Sequence, residues 1–200
     1  MADKVVINAV PLIGELVTPA MMQVSRKMPE LQLVYRSEMR FVDLSDGATL
    51  AVRAGVKPPE ERHVVHWLGR LTFALVATQD YVRRMGLPEL PEDLSRYPLV
   101  GNDLDDAATP WFRWLFANTS RQQIVFRSND ETVMRHSILS GRCAGFLPLS
   151  SLLWSPDLVE LMPTRSEWEA PLWLVHDREA TEICGAVARE LTAIIVRQLA

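Results

Sequence analysis

The most reactive side chains of this sequence are not spaced for catalysis. His63-x-x-His66 has no Cys, Asp or Glu at the interval a third metal ligand needs, and His136 and His176 stand apart from it. The four histidines therefore read as structural or surface residues and define no metal set. Ser137 follows His136 directly, and consecutive helical positions point their side chains apart. There is no Gly-x-Ser-x-Gly elbow, no glycine-rich phosphate cradle and no His-Glu-x-x-His. Cys143 and Cys184 are distant and lack a CxxC context, which reads as two free thiols in a reducing compartment. No catalytic residue, metal or cofactor is expected, and an enzymatic reading fares poorly.

The residues suited to binding fall where strands end and helices begin. Val10, Pro11 and Leu12 form such a junction. Amides there either grip a carboxylate or make a plain turn. Ser37 closes a second apolar run, and Arg53 lies near the end of a third. A buried Arg53 would clamp a carboxylate through two parallel hydrogen bonds or make a structural pair with an acidic neighbour such as Asp43. Gly101 and Asn102 follow a further run. Ser128, Asn129 and Asp130 precede a helical pattern, with Ser128 as the expected cap. Phe146 and Pro148 end another run and either wall a cleft or pack.

The elements that must hold these residues alternate between strand and helix. Strands are expected at 4–10, 31–36, 49–54, 71–77, 98–102, 123–128, 143–148, 158–162 and 171–176. Helical spacing marks 13–28, 78–86, 129–140 and 178–199. A short polar helix is expected over 38–47, a loop over 56–70, an acidic turn within 87–97, and a turn of aromatic packing around Trp111, Trp114 and Leu115. Repeated β-α-β units imply a mostly parallel sheet with helices on both sides. The 200 residues suffice for one core or two small ones, and the net charge of −4 gives no field that would draw the chain to phosphate backbones. No window is long and apolar enough to span a bilayer, and Met1-Ala2-Asp3-Lys4 lacks a signal-peptide core. These features together indicate a soluble intracellular globular protein, and the cytoplasm is the expected location for the family reading that follows.

Several segments, in order, resemble the effector-binding domain of LysR-type transcriptional regulators. LSDGATLAVRAG at 44–55 resembles that family's Leu-x-x-Gly-x-x-Asp-Leu-Ala-Ile-Arg-x-Gly. LGRLTFALVATQDYVRRMGLPELPEDLSRYPLVG at 68–101 carries a strand, a small crossover residue, a Tyr-containing helix, Gly-x-Pro and a Pro-x-Asp-Leu turn. FRSNDETVMRHSILSGRCAGFLP at 126–148 resembles the segment ending in Gly-x-Gly-Ile-x-x-Leu-Pro. Thr49 and Cys143 depart from the pattern, where Asp and Gly are usual, and both are placed beside the expected cleft.

The resemblance implies an α/β fold of two Rossmann-like subdomains joined by two crossover segments, like a type 2 periplasmic binding protein. Subdomain I would hold 1–76 and 176–200, and subdomain II 77–175, with His176 at the second crossover in reach of ligand. The resemblance further implies a small-molecule effector between the subdomains, held at strand C-termini and helix N-termini as in open α/β sheets generally. Val10, Pro11, Ser37, Arg53, Asn102, Ser128 and Phe146 would line that site, and a small organic acid with a hydrophobic part would fit it. A homodimer using the helix at 13–28, with Met21, Met22 and Val24 as its apolar surface, is also implied. DNA would be reached only through an N-terminal helix-turn-helix that this chain does not carry, which reads as an expressed fragment. The alternatives are a solute-binding protein of a transport system and an enzyme on a similar two-lobed fold.

Overall fold

The computed structural model describes residues 3–38, 42–103 and 109–199. Along the chain run β1 (Lys4–Ala9), α1 (Gly14–Lys27), β2 (Gln32–Ser37), β3 (Thr49–Ala54), β4 (His63–Thr78), α2 (Gln79–Met85), β5 (Leu99–Gly101) and α3 (Pro110–Asn118). There follow β6 (Ile124–Arg127), α4 (Glu131–Leu139), β7 (Gly145–Pro148), α5 (Ser151–Trp154), β8 (Leu158–Glu160), β9 (Glu169–Asp177) and α6 (Glu182–Leu199). The chain divides into two compact units, one of residues 1–71 with 171–200 and one of residues 72–170. The divisions fall inside β4 and β9, a few residues before the positions read from the sequence.

In the first unit the strands lie in the order β2-β1-β3-β9-β4. β1 pairs in parallel with β2 and β3, and β3 pairs antiparallel with β9. The sheet is therefore mixed, because β9 re-enters this unit running against β3. β1 is buried along almost its whole length, as a strand covered on both faces requires. α6 packs against α1, β1 and β3, and buries Val187, Leu191 and Ile194. Leu44, Ala51 and Val175 form a separate small cluster with Val42, Val65 and Trp173.

Two expectations fail in this unit, each for a local reason. Residues 42–47, the described part of the helix expected over 38–47, are not helical; residues 39–41 lie outside the described residues. Asp43 accepts from Ser45 N and Ser45 Oγ, and Asp46 accepts from Ala48 N and Thr49 Oγ1, so carboxylates take the backbone donors a helix would use. The loop expected over 56–70 gives way to strand from His63 onward. Its polar composition is outweighed by cross-strand packing. Leu68 is fully buried, and Trp67 meets Trp173 edge-on at 4.8 Å between ring centroids.

In the second unit β5 pairs in parallel with β6, and Leu99 bridges Ala144 in parallel just before β7. The second half of β4 pairs antiparallel with β7 and with β8. Gly145 is required here. A Cβ on it would stand 2.4 Å from Val100 Cγ1 and 3.0 Å from Ile138 Cδ1, so β5 and α4 close on bare backbone. The aromatic turn around Trp111 is the helix α3, which buries Trp111, Phe112 and Leu115 and stacks Trp111 on Phe73 at 3.6 Å.

Candidate functional site

Parallel pairing gathers the candidate residues of the first unit at one sheet edge. Ala9 is in register with Ser37 and Asn8 with Ala51, so Val10, Ser37 and Arg53 all sit at or beyond the carboxyl ends of β1, β2 and β3. Val10 is extended and precedes a short 3-10 turn, Pro11–Ile13, that feeds α1. Pro11 contributes no N–H, which leaves this junction one amide poorer for binding an anion. Val10 O accepts from Tyr35 Oη at 3.0 Å. Ser37 is exposed, and the following residue, Glu38, donates its N–H to Ala9 O.

Arg53 is half-buried. Its Nη2 donates to Asn8 Oδ1 at 2.6 Å, and its Nη1 to Asn8 O at 3.2 Å and Val52 O at 3.0 Å. Asp43 is engaged with Ser45, and Asn8 is a neighbour that holds Arg53 through both its side chain and its backbone. Burial pushes the Arg53 guanidinium below its ordinary range, and the Glu38 carboxylate opposes that shift. Because a guanidinium only donates, the Asn8 atom facing it must be the carbonyl oxygen. That fixes the amide orientation and leaves Asn8 Nδ2, on a residue 1% exposed, buried without a hydrogen-bond partner among the described residues. A buried N–H donor without an acceptor costs about 1–3 kcal/mol, and a ligand acceptor would recover it. Nothing in the sequence singles out Asn8, which lies inside an apolar run and reads there as part of a strand core.

The second unit presents a similar edge. Gly101 is in register with Arg127, so Asn102 and Ser128 both follow strand ends, and Ser128 N donates to Gly101 O at 3.2 Å. Ser128 is not the cap of α4. Asp130 is, accepting from Thr132 N and Val133 N, while Ser128 Oγ accepts from Asp130 N. Asp130 is the cap because the backbone path starts α4 at Glu131, which puts residue 130 and not residue 128 next to the free amides of the first turn. Phe146 is 3% exposed and packs edge-on against Trp168 at 4.9 Å and Trp114 at 6.1 Å. Its ring is part of the core of the second unit.

Three further expectations are corrected. Thr49 begins β3, four residues from Arg53, and donates to Asp46 Oδ2; Cys143 precedes β7 and lies 3.6 Å from Ser137 Oγ. Both departures from the family pattern thus stand toward the amino ends of their strands, away from the edges just described. His176 is buried, with Nδ1 on Asp177 O and Nε2 on His66, which leaves its ring committed within the first unit. Met21 and Val24 are buried inside the same unit, so of the three residues proposed as α1's free apolar surface only Met22 is exposed.

The model of the LysR substrate binding domain matches residues 2–199, and the chain belongs to that family. The probable HTH-type transcriptional regulator LtrA of Klebsiella pneumoniae is 26% identical over 190 residues, covering 86% of this chain and 59% of that protein. The uncharacterized HTH-type transcriptional regulator YhjC of Escherichia coli (strain K12) is 36% identical over 73 residues, covering 36% of this chain and 24% of that protein. The chain spans less than two thirds of the length of the curated relatives it matches. Among solved structures, the regulatory domain of CrgA, a LysR-type regulator from Neisseria meningitidis, superposes with a TM-score of 0.78 at 17% identity over the full length of both chains. The AmpR effector binding domain from Citrobacter freundii superposes with a TM-score of 0.75 at 18% identity, covering 98% of this chain and 99% of that one. The fold is thus the mixed α/β, periplasmic-binding-protein-like fold of LysR regulatory domains. The relatives matched are regulators, not transport proteins, which sets aside the solute-binding alternative.

Proposed function

We propose that this chain is the effector-sensing part of a cytoplasmic transcriptional regulator and that its effector is a small organic acid with a hydrophobic part. The observation that carries the ligand class is the Asn8–Arg53 pair. A half-buried cation and a buried, unpartnered amide N–H lie together at the end of the parallel strands. Such a pair recognises a carboxylate through charge-assisted hydrogen bonds. Ser37, Asn102 and Ser128 supply further polar contacts at strand ends. Val10 and Pro11 supply apolar surface, and Phe146, at the end of β7, would add apolar character from the second unit. The chemistry required is binding, with no step of bond making, and the reading remains non-enzymatic.

Binding can shift a regulator only by its differential affinity for two states. The output would pass through the homodimer and, in the full-length protein, through a helix-turn-helix to DNA. α1 and α6 pack side by side, and their outer surfaces expose Met22, Ile183 and Val196, which supports a pairing surface shared by both helices. No helix among the described residues is long and apolar enough to cross a membrane. The test is a thermal-shift screen of aromatic and aliphatic carboxylic acids, followed by calorimetry on Arg53→Met and Asn8→Ala. The reading expects a binder whose affinity falls at least about tenfold in each variant, as loss of a charged hydrogen bond requires. A binder indifferent to both variants would overturn the assignment.

A further inference from the structure

The turn that joins α3 to β6 borders a small pocket in the second unit. Phe116, Thr119, Ser120, Arg121, Ile124 and Arg127 line it, around a space of about 200 Å³. Phe116 and Ile124 give it an apolar wall. Arg121 and Arg127 give it two guanidiniums, with no carboxylate among the described lining residues. Arg127 Cζ stands 5.1 Å from the centre of the Phe116 ring, so one cation is held against the apolar wall. Thr119 and Ser120 add hydroxyls. We propose that this pocket is a binding site for a small organic anion, with the acid group shared by Arg121 and Arg127 and the apolar part on Phe116 and Ile124.

The space is smaller than the roughly 300–1,000 Å³ that holds a drug-sized ligand, so its occupant has few heavy atoms. A guanidinium carries its N–H donors in one plane and pairs with an acid group through two of them at once. The last carbonyls of α3 would oppose an anion here. Two of them are already taken: Asn118 Nδ2 donates to Trp114 O at 2.8 Å, and Thr119 Oγ1 to Leu115 O at 2.7 Å. Both arginines also interact with other groups of the protein, so an anion shares them and binds weakly.

The pocket backs onto the strand ends of the second unit. Phe116 and Ile124 pack against Gly101, where an added Cβ would stand 3.1 Å from Phe116 Cε1 and 3.3 Å from Ile124 Cγ2. Gly101 is in register with Arg127, and the residues that follow these two are Asn102 and Ser128. An occupant thus touches the side chains that support this edge, one residue away from those assigned to the effector. It is a second site, and its existence does not depend on the effector reading.

The experiment is amide chemical-shift titration of the isotopically labelled chain with cyclohexanecarboxylate and, separately, with the neutral cyclohexanecarboxamide of the same shape. Saturable shifts at Thr119, Ser120 and Ile124 are expected with the acid, with a Kd of about 0.1–10 mM. The amide should bind at least about tenfold more weakly. Arg127→Gln should weaken the acid about tenfold or more. Arg121→Gln, an exposed change that leaves the apolar wall intact, should weaken it about threefold or more. Arg113→Gln, an exposed change on α3 outside the pocket, should leave the affinity as it was. Shifts at Ser37 report the strand-end site separately, so failure of one site leaves the readout of the other intact. No saturable shift at Thr119, Ser120 and Ile124 up to about 50 mM acid, equal affinity for acid and amide, affinity unmoved by both Arg121→Gln and Arg127→Gln, or an equal loss in Arg113→Gln would each overturn the assignment.

Discussion

Asn8 and Arg53 are joined by a 2.6 Å hydrogen bond between Oδ1 and Nη2, although they lie 45 positions apart on β1 and β3. The bond exists because β1 and β3 run parallel, with Asn8 in register with Ala51 two residues before the arginine. It turns a polar residue inside an apolar strand into the anchor of a cation at the strand ends. Asn8→Ala should lower the unfolding free energy by about 1–3 kcal/mol, since the hydrogen bond from Arg53 Nη2 to Asn8 Oδ1 is lost, and chemical denaturation measures this directly. Asn8→Leu should cost no less, because removing the amide leaves the guanidinium half-buried beside an apolar group.

The strand ends were legible in the sequence because apolar runs and their breakers locate them. Ser37, Asn102 and Ser128 stand where that reading put them. The identity of the cap before α4 was not legible, because Ser128 and Asp130 both satisfy cap chemistry and only the backbone path decides between them. Nor was the partner of Arg53, which depends on register between strands distant in sequence. The first half of β4 was hidden by its polar composition, since Trp67 gains its partner, Trp173, only when β9 arrives from more than one hundred residues away.

Gly145→Ala should destabilise the second unit by about 1–3 kcal/mol through overpacking. The added methyl would meet Val100 and Ile138, which are 1% and 0% exposed. A thermal melt that is unchanged would mean β5 and α4 can part at no cost.

Stability should fall on acidification, in part through His66. Its folded-state pKa lies below the ordinary histidine value, first through burial and then through His176 and Arg189. The unfolded chain therefore binds more protons than the folded one over the interval between the two values. The stabilisation is fully present above the unfolded-state pKa of about 6.5 and is lost as pH falls through the folded value. Urea midpoints measured from pH 7.5 to 5 should decline, and His66→Gln should flatten the part of that decline that His66 contributes.

Neither cysteine is poised as a redox sensor. Cys143 and Cys184 are both buried, and burial pushes their thiols up, that of Cys184 to about 11. Thiolate reactivity should accordingly be low. With a chromogenic disulfide reagent at pH 7.5, both thiols should react slowly in the native chain and rapidly in urea.

Met22→Asp should shift the chain towards monomer. It places a charge on the outer surface of α1 at a residue 53% exposed, so the fold should tolerate it. Light scattering across a concentration series should show a dimer for the parent sequence at tens of micromolar and a lower mass for the variant.

The most direct test of an effector site at the strand ends is amide chemical-shift mapping of the isotopically labelled chain, titrated with a carboxylic acid found by screening. The account predicts saturable shifts at Ser37, Asn102 and Ser128 and in the Arg53 and Asn8 side-chain N–H signals. Shifts confined to other residues, with those five unmoved at saturation, would contradict it.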